Sequence, residues 1–260
     1  MQGRQRLRSG ARLSWYGDTP DDEFWFRHWE RKLSPDWLAT SEGRDPDTDG
    51  VLSAILRWLP LEGRHLEAGC GSGDYVVALG VRGYDIEGIE LSAKLVALVN
   101  QRFPSVPVSV GNALDIDCPD DHYQGYVSIG VVEHRESGPE PFLAEAARVL
   151  APGGTLVLAV PGFGAIRKVA HRWRPGPEPA PGEPFFQYAF GPDELSQLVR
   201  DAGFEVRETH FVGAYRMLLE EVPGFRWVTN QRGGKYVRRA AEQLLGNRDG
   251  HMLVLHGVRT

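Results

Sequence analysis

The sequence predicts an α/β fold: a doubly wound, mostly parallel sheet with helices on both faces and a helical cap at its N-terminal side. Three observations carry that expectation. From residue 51 onward, short apolar strand-like runs alternate with helix-like stripes, and such βαβ repetition builds a parallel sheet. The first strand-like run, His65 to Ala68, enters Gly69, Gly71 and Gly73, and Glu90 ends the second. Ahead of both lies an aromatic-dense segment with Trp15, Tyr16, Phe24, Trp25, Phe26, Trp29 and Trp37. Within it Trp25 and Trp29 share one helical face at i, i+4, the pattern of a helical cap.

Taken in order, Asp45 to Asp49 supply turn and N-cap chemistry for a stripe of Val51, Leu52, Ile55, Leu56 and Leu59, which Pro60 stops. A strand at 65–68 leads to a helix at 74–80, and a strand at 85–90 to a helix at 92–103 that Pro104 closes. Strands follow at 106–110, 126–129 and 155–160, with a helix at 139–150 before the last of them. Residues 172–184 hold five of the chain's 18 prolines and exclude regular structure there, so 162–190 is expected to form a long loop or lid. A helix at 192–202, a strand at 204–212, a basic helical stretch at 235–245 and a strand at 252–258 complete the chain. The expected division is a tail and aromatic cap over 1–45 and one main domain over 46–260, without internal repeats.

A chain of 260 residues, 42% hydrophobic and 25% charged, can bury a full core. Its formal net charge of −6 gives no global attraction to nucleic acid or to anionic membranes, so neither is expected as a partner. Arg4, Arg6, Arg8 and Arg12 read as a solvated, partly disordered tail, with contact to RNA, phosphate or an acidic partner as the alternative. Arg232, Lys235, Arg238 and Arg239, beside Tyr236, read as a solvated helix face, with RNA or an anionic acceptor as the alternative. Cys70 and Cys118 have no paired spacing, and no histidine or carboxylate cluster has metal-ligand spacing, so neither a disulfide framework nor a metal is expected. No apolar run approaches the roughly 20 residues that span a bilayer, and the N-terminus lacks the apolar stretch of a secretion signal. A reducing cytoplasm is the expected setting, and nothing in the pattern sets an oligomeric state.

The glycine run carries the chemistry. Glycines in a strand-to-helix turn let the backbone bend tightly and approach a ligand, and a carboxylate about 20 residues later suits a ribose diol. A dinucleotide fingerprint would need a third glycine at position 74 or 76, where Asp74 and Val76 stand. A carboxylate there opposes a pyrophosphate at the helix N-terminus, so a nicotinamide or flavin dinucleotide is disfavoured.

Four segments in order, Glu67-x-Gly69-x-Gly71-x-Gly73 with Glu90, Gly111-Asn112-Ala113, Ser128 to His134, and Arg148 to Thr155, resemble the class I S-adenosylmethionine-dependent methyltransferases over about residues 48 to 213. The resemblance implies a Rossmann-like sheet of seven strands, completed by the last strand, and S-adenosylmethionine as cofactor. It assigns the ribose to Glu90, the close ligand approach to Gly69, Gly71 and Gly73, the methionine end to Glu67, the adenine edge to Asn112 and Ala113, and a cofactor wall or plain sheet core to Ile129. Two departures stand out: Asn112 replaces the usual Asp, and Tyr123-Gln124 the usual Phe-Asp. Asn112 still offers an acceptor and a donor to adenine.

His134 is the one histidine beside a motif at the carboxyl edge of the sheet, so it reads either as a base on the acceptor or as a cap of the following turn. A base is not obligatory, because the sulfonium methyl is already activated and alignment of a nucleophile does much of the work. The resemblance therefore implies methyl transfer, and aromatic cover at the sheet edge favours a small-molecule acceptor, with RNA or protein as alternative acceptors and a non-catalytic binding module as the rival. Acceptor recognition is expected from the aromatic cap and from the proline-rich segment leading into Phe185-Phe186-Gln187-Tyr188, with Tyr16 and Tyr188 as candidate hydroxyls.

Overall fold

The computed structural model describes residues 5–9, 12–173, 178–229 and 234–260, without the side chains of Ser9, Val228 and Lys235. The chain runs β1 (Gln5–Ser9), β2 (Arg12–Tyr16), α1 (Asp22–Glu30), α2 (Trp37–Glu42), α3 (Gly50–Trp58), β3 (Arg64–Ala68), α4 (Asp74–Gly80), β4 (Asp85–Glu90), α5 (Ala93–Arg102) and β5 (Val108–Val110). It continues with β6 (Tyr123–Ile129), a 3-10 turn (Val132–His134), α6 (Glu140–Val149), β7 (Leu150–Pro161), α7 (Ala165–Trp173), β8 (Phe185–Ala189), α8 (Pro192–Asp201) and β9 (Phe204–Val212). The last elements are α9 (Ala214–Glu221), α10 (Phe225–Thr229), α11 (Gly234–Leu245), a 3-10 turn (Gly246–Arg248) and β10 (Met252–Arg259).

Seven strands form the main sheet in the order β5-β4-β3-β6-β7-β10-β9. The pairs among β3 to β7 are parallel, and β10 runs antiparallel to both β7 and β9. Order reverses beside β3, so the crevice beyond its carboxyl end is where such a sheet receives a ligand. The helices cover both faces. Leu52 and Ile55 of α3, Val76 and Leu79 of α4, and Leu95 and Val99 of α5 bury one face. Leu143 and Ala146 of α6, with Leu195 and Val199 of α8, bury the other. Local chemistry starts these helices where the sequence places them: Asp49 accepts from Val51 N and Leu52 N at α3, Asp21 from Phe24 N at α1, and Ser92 Oγ from Leu95 N at α5.

The N-terminal residues depart from the expected tail. β1 pairs with β2, and β2 with β8, as a three-stranded antiparallel sheet that joins residues on both sides of the expected boundary at 45/46. Arg6 pairs with Glu221 at 2.8 Å, and Arg12 pairs with Glu194 and lies over the Tyr188 and Phe190 rings. These arginines are held by the fold because Leu13 and Trp15 of β2, on which β1 pairs, are buried against Phe163, Phe186 and Ala189, which fixes the register of both strands. Arg4 lies outside the described residues.

The segment 162–190 is also more regular than expected. It holds α7, which the flanking prolines obscured, and β8, a strand that needs β2 as a distant partner. The stretch between β9 and β10 folds into α9, α10 and α11, where only the last helix was expected. Arg238, Arg239 and Tyr236 lie exposed on α11, while Arg232 and the Lys235 side chain fall outside the described residues. Both cysteines are free. Among the described residues no helix is long and apolar enough to cross a membrane.

Candidate functional site

Two cavities open at the carboxyl edge of the main sheet and share Trp29, Gly69 and Ile129 as walls. The smaller, about 310 Å³, is lined by Glu90, Leu91, Gly111, Asn112, Ala113 and His134, with Trp25 above. The larger, about 790 Å³, is lined by Glu67, Arg44, Asp49, Asp74, Tyr75 and His251, with Lys32 and Arg216 at its sides. Both volumes are of the order of small-molecule sites, about 300 to 1,000 Å³.

The turn from β3 into α4 is built from left-handed glycines: Gly69, Gly71 and Gly73 have φ of +74°, +57° and +86°. Gly69 and Gly71 have no room for a side chain, because a Cβ on Gly69 would collide with Val131 and one on Gly71 would lie 2.5 Å from the Trp29 indole. The glycines thus serve both conformation and close approach. Trp29 of α1 lies on Gly71 and separates the two cavities, with Lys32 Nζ 4.0 Å over its ring.

Glu90, 7% exposed, ends β4 at the floor of the smaller cavity. Its Oε2 accepts from Gly71 N at 3.0 Å and its Oε1 from Ser92 N at 2.9 Å. The carboxylate is therefore aimed by main-chain donors, and each oxygen keeps acceptor capacity for a ligand hydroxyl. Burial raises its pKa, against the pull of those two N–H groups. Asn112 lines the same cavity, and its Oδ1 accepts from Leu114 N at 3.0 Å in an Asx turn that does not use Nδ2. Ala113 is buried beside it, and Ile129 at the end of β6 faces both cavities.

Glu67 sits deeper. It is 3% exposed, with Oε2 buried and without a hydrogen-bond partner. Burial, joined by the nearby Asp74 charge, holds its carboxyl well above the usual range. Such a group fits a cationic ligand, which would supply the missing counter-charge. Around it, Arg44 pairs with Asp49 and Asp74 and lies over the Tyr75 ring, and Tyr75 Oη donates to Asp49.

His134 lines the smaller cavity. Its Nδ1 lies 2.7 Å from the Phe186 carbonyl, and its ring is edge-on to Trp25 and Phe186 at 4.8 and 4.9 Å. The aromatic cap and the Phe185–Ala189 segment, two separate candidates in the sequence, thus meet on this histidine, and Phe24 of the cap also packs on Phe186 at 5.6 Å. Tyr188 Oη donates to the Glu136 carbonyl at 2.7 Å, and Tyr16 packs edge-on against Phe185 at 5.8 Å.

Sequence reasoning missed most of the larger cavity. His251, Arg44, Asp49 and Tyr75, which line it, and Glu220, which pairs with His251 from outside the lining, belong to no contiguous motif. One signal was available for His251: it immediately precedes a final strand that runs antiparallel, so it falls at the same edge as the carboxyl ends of the parallel strands. Met252 pairs with Pro161 there.

A family model described as a methyltransferase domain matches residues 42–209. A curated protein of Mycolicibacterium smegmatis, named a probable S-adenosylmethionine-dependent methyltransferase, is 32% identical over 147 residues, covering 55% of this chain and 52% of that protein. The chain spans about half the length of the curated relatives it matches. Among solved structures, a Haloferax volcanii complex of the Trm112 methyltransferase activator with a methyltransferase aligns with TM-score 0.57 at 20% identity, over 86% of this chain and 96% of that one. The [4+2]-cyclase SpnF aligns with TM-score 0.57 at 18% identity, over 97% and 99%. These likenesses show the shared fold, and SpnF shows that a fold alone does not fix a reaction. With more than half of its residues inside the family match, the chain belongs to the methyltransferase-domain family, here with the class I sheet.

Proposed function

We propose that the chain binds S-adenosylmethionine across the two cavities and transfers its methyl group to a small-molecule acceptor in the larger one. The observation that carries this reading is Glu90, aimed by Gly71 N and Ser92 N into the smaller cavity and facing Asn112 and Ala113. That arrangement suits a ribose diol with adenine beyond it. The cavity shared at Gly69 and Ile129 then leads the rest of the ligand toward buried Glu67, whose unpartnered oxygen suits the ammonium or sulfonium charge. The cofactor supplies an activated methyl group, and the chain's residues align the acceptor and exclude water. In this reading His134 shapes the wall of the nucleoside side. A small acceptor is favoured over nucleic acid because Arg6 and Arg12 are engaged in ion pairs with Glu221 and Glu194. A cytoplasmic setting is part of the same proposal, in keeping with the two free cysteines.

Calorimetric titration with S-adenosylmethionine, S-adenosylhomocysteine and NAD tests the assignment. Binding of both adenosyl ligands without NAD is the expected result. NAD binding alone overturns the proposal, and tight adenosyl binding without methyl transfer to any small molecule favours a binding module.

A further inference from the structure

We propose that His251 is the base that takes the proton of a hydroxyl acceptor in the larger cavity, with Glu220 as its positioning residue; this rests on the methyl-transfer reading above. His251 Nδ1 lies 2.9 Å from Glu220 Oε2, and no hydrogen bond to Nε2 occurs among the described residues. The residue is fixed by its main chain on both sides: its N–H donates to the Gly213 carbonyl at 3.3 Å and its carbonyl accepts from Gly162 N at 3.0 Å. It lines the cavity that also contains Glu67, Gly69 and Ile129, where the methyl group would arrive.

The charges around the ring support a neutral imidazole with its proton on Nδ1. Burial lowers the His251 pKa; Glu220 raises it, and Arg216 and Arg167 lower it again. Burial pushes Glu220 up, but the His251 hydrogen bond and the positive charges of Arg167 and Arg216 outweigh it and bring its pKa down to about 2. Glu220 is therefore an anion that orients the ring. Glu242 of α11 is occupied by Ala214 N and Tyr215 N, and Asp249 by Ile166 N. Arg238 of α11 lines the same cavity.

The arrangement selects a hydroxyl because an alcohol is a weak nucleophile until its proton is withdrawn, whereas a neutral amine attacks with its own lone pair. In the transfer, an acceptor oxygen pair forms the O–CH₃ bond and the S–CH₃ bond electrons pass to sulfur, leaving a thioether. The hydroxyl proton goes to Nε2, and the imidazolium so formed faces the Glu220 carboxylate before it loses the proton to water. A base in this position contributes about 10² to 10⁴-fold. His134 offers less, because it lies on the nucleoside side with its Nδ1 2.7 Å from the Phe186 carbonyl and its Nε2 3.9 Å from Glu133 Oε1.

The test uses the full chain with tritiated S-adenosylmethionine and a low-molecular-weight extract of the producing cells, comparing wild type, H251N and E220Q. Asn at 251 can still donate to Glu220 but cannot take the proton, so melting curves should match wild type. The expected product is a methyl ether, formed at least 100-fold more slowly by H251N, with S-adenosylhomocysteine affinity within about threefold of wild type. E220Q should slow transfer about tenfold and move the acid limb of the pH profile to lower pH, because the carboxylate that raises the His251 pKa is gone; a merely structural role would leave that limb in place. Imidazole nitrogen NMR should show the neutral Nδ1–H form at pH 7. An Nε2–H or charged ring, labelling of amines only, or no labelling despite S-adenosylhomocysteine binding overturns the proposal. Failure to bind S-adenosylhomocysteine instead overturns the methyl-transfer reading itself.

Discussion

The smaller cavity is shaped mainly by the backbone and the larger one mainly by charged side chains, although the two meet at Gly69 and Ile129. In the smaller, left-handed glycines set the chain path and two main-chain N–H groups aim Glu90. In the larger, Arg44 with Asp49 and Asp74 lines one wall, and His251 on another pairs with Glu220, which in turn pairs with Arg167. A backbone-built site fails when a Cβ is added, because neither φ nor the packed neighbour can yield. A site built from charges fails when the balance is broken, because a buried ion left alone must find a new partner or a proton.

The largest expected effect is on the charge-built side. Arg167, 1% exposed, donates to Glu221 at 3.0 Å, to Glu220 at 3.3 Å and to the Gly162 carbonyl at 2.6 Å. Arg167→Ala takes from buried Glu221 the more deeply buried of the cations it pairs with, leaving Arg6 at 2.8 Å, and should cost about 3 kcal/mol of stability by urea unfolding. S-adenosylhomocysteine affinity at low temperature should stay within about threefold of wild type; a parallel collapse would mean that the two cavities do not fail independently.

Gly71→Val is the matching change on the backbone-built side. A β-branched residue at φ +57° with its Cβ against Trp29 strains the turn by about 1 to 3 kcal/mol and displaces either the indole or the loop. Calorimetry should show at least a 100-fold loss of S-adenosylhomocysteine affinity, about 2.7 kcal/mol. Adding Trp29→Ala should recover only part of it, since the clash is relieved and the φ strain is not. Full recovery would assign the effect to the indole alone.

Glu90 lies between these extremes, because it is a side chain aimed by backbone. Glu90→Ala should weaken adenosyl binding roughly 10 to 100-fold. It should also destabilise the chain by about 1 to 3 kcal/mol, since Gly71 N and Ser92 N lose their acceptor. Glu90→Gln retains one acceptor oxygen but turns an amide donor toward the other main-chain N–H, so it should lose stability as well as affinity; a purely structural carboxylate would lose stability and leave affinity unchanged.

The same difference in construction explains what could be read in advance. Glu67 to Gly73, Glu90 and Gly111 to Ala113 are contiguous runs at the ends of successive strands, so spacing alone brings them together once the βαβ order is recognised. His251 and Glu220 are 31 residues apart and meet only because β10 turns back antiparallel between β7 and β9. Arg6 finds Glu221 across 215 residues, a contact for which local composition offers no signal, and a basic run therefore read as a tail. β8 was equally hidden, since its strand character comes from β2 rather than from its own neighbours.

One buried carboxyl belongs to neither mode of construction, and it gives the smallest effect. Glu133, in the 3-10 turn before His134, is 2% exposed with Oε2 unpartnered, and burial raises its pKa to about 8. A folded-state pKa above the unfolded one makes the folded chain hold a proton that the unfolded chain releases. This contribution to stability is complete below about pH 4.5 and is lost as pH rises toward 8. Glu133→Gln keeps the shape and removes the titration, so the fall in melting temperature between pH 5.5 and 8 should flatten. The gain at pH 8 is about 1 to 2 kcal/mol, or roughly 2 to 8 °C. Adenosyl affinity should not change, because Glu133 lines neither cavity. Glu67→Gln separates the two kinds of buried acid: it should flatten the same slope in the free protein, yet weaken adenosyl binding, because Glu67 faces the cavity where a cationic ligand would favour its charged form. If the two glutamines behave alike, Glu67 is a structural acid and not part of the cofactor site.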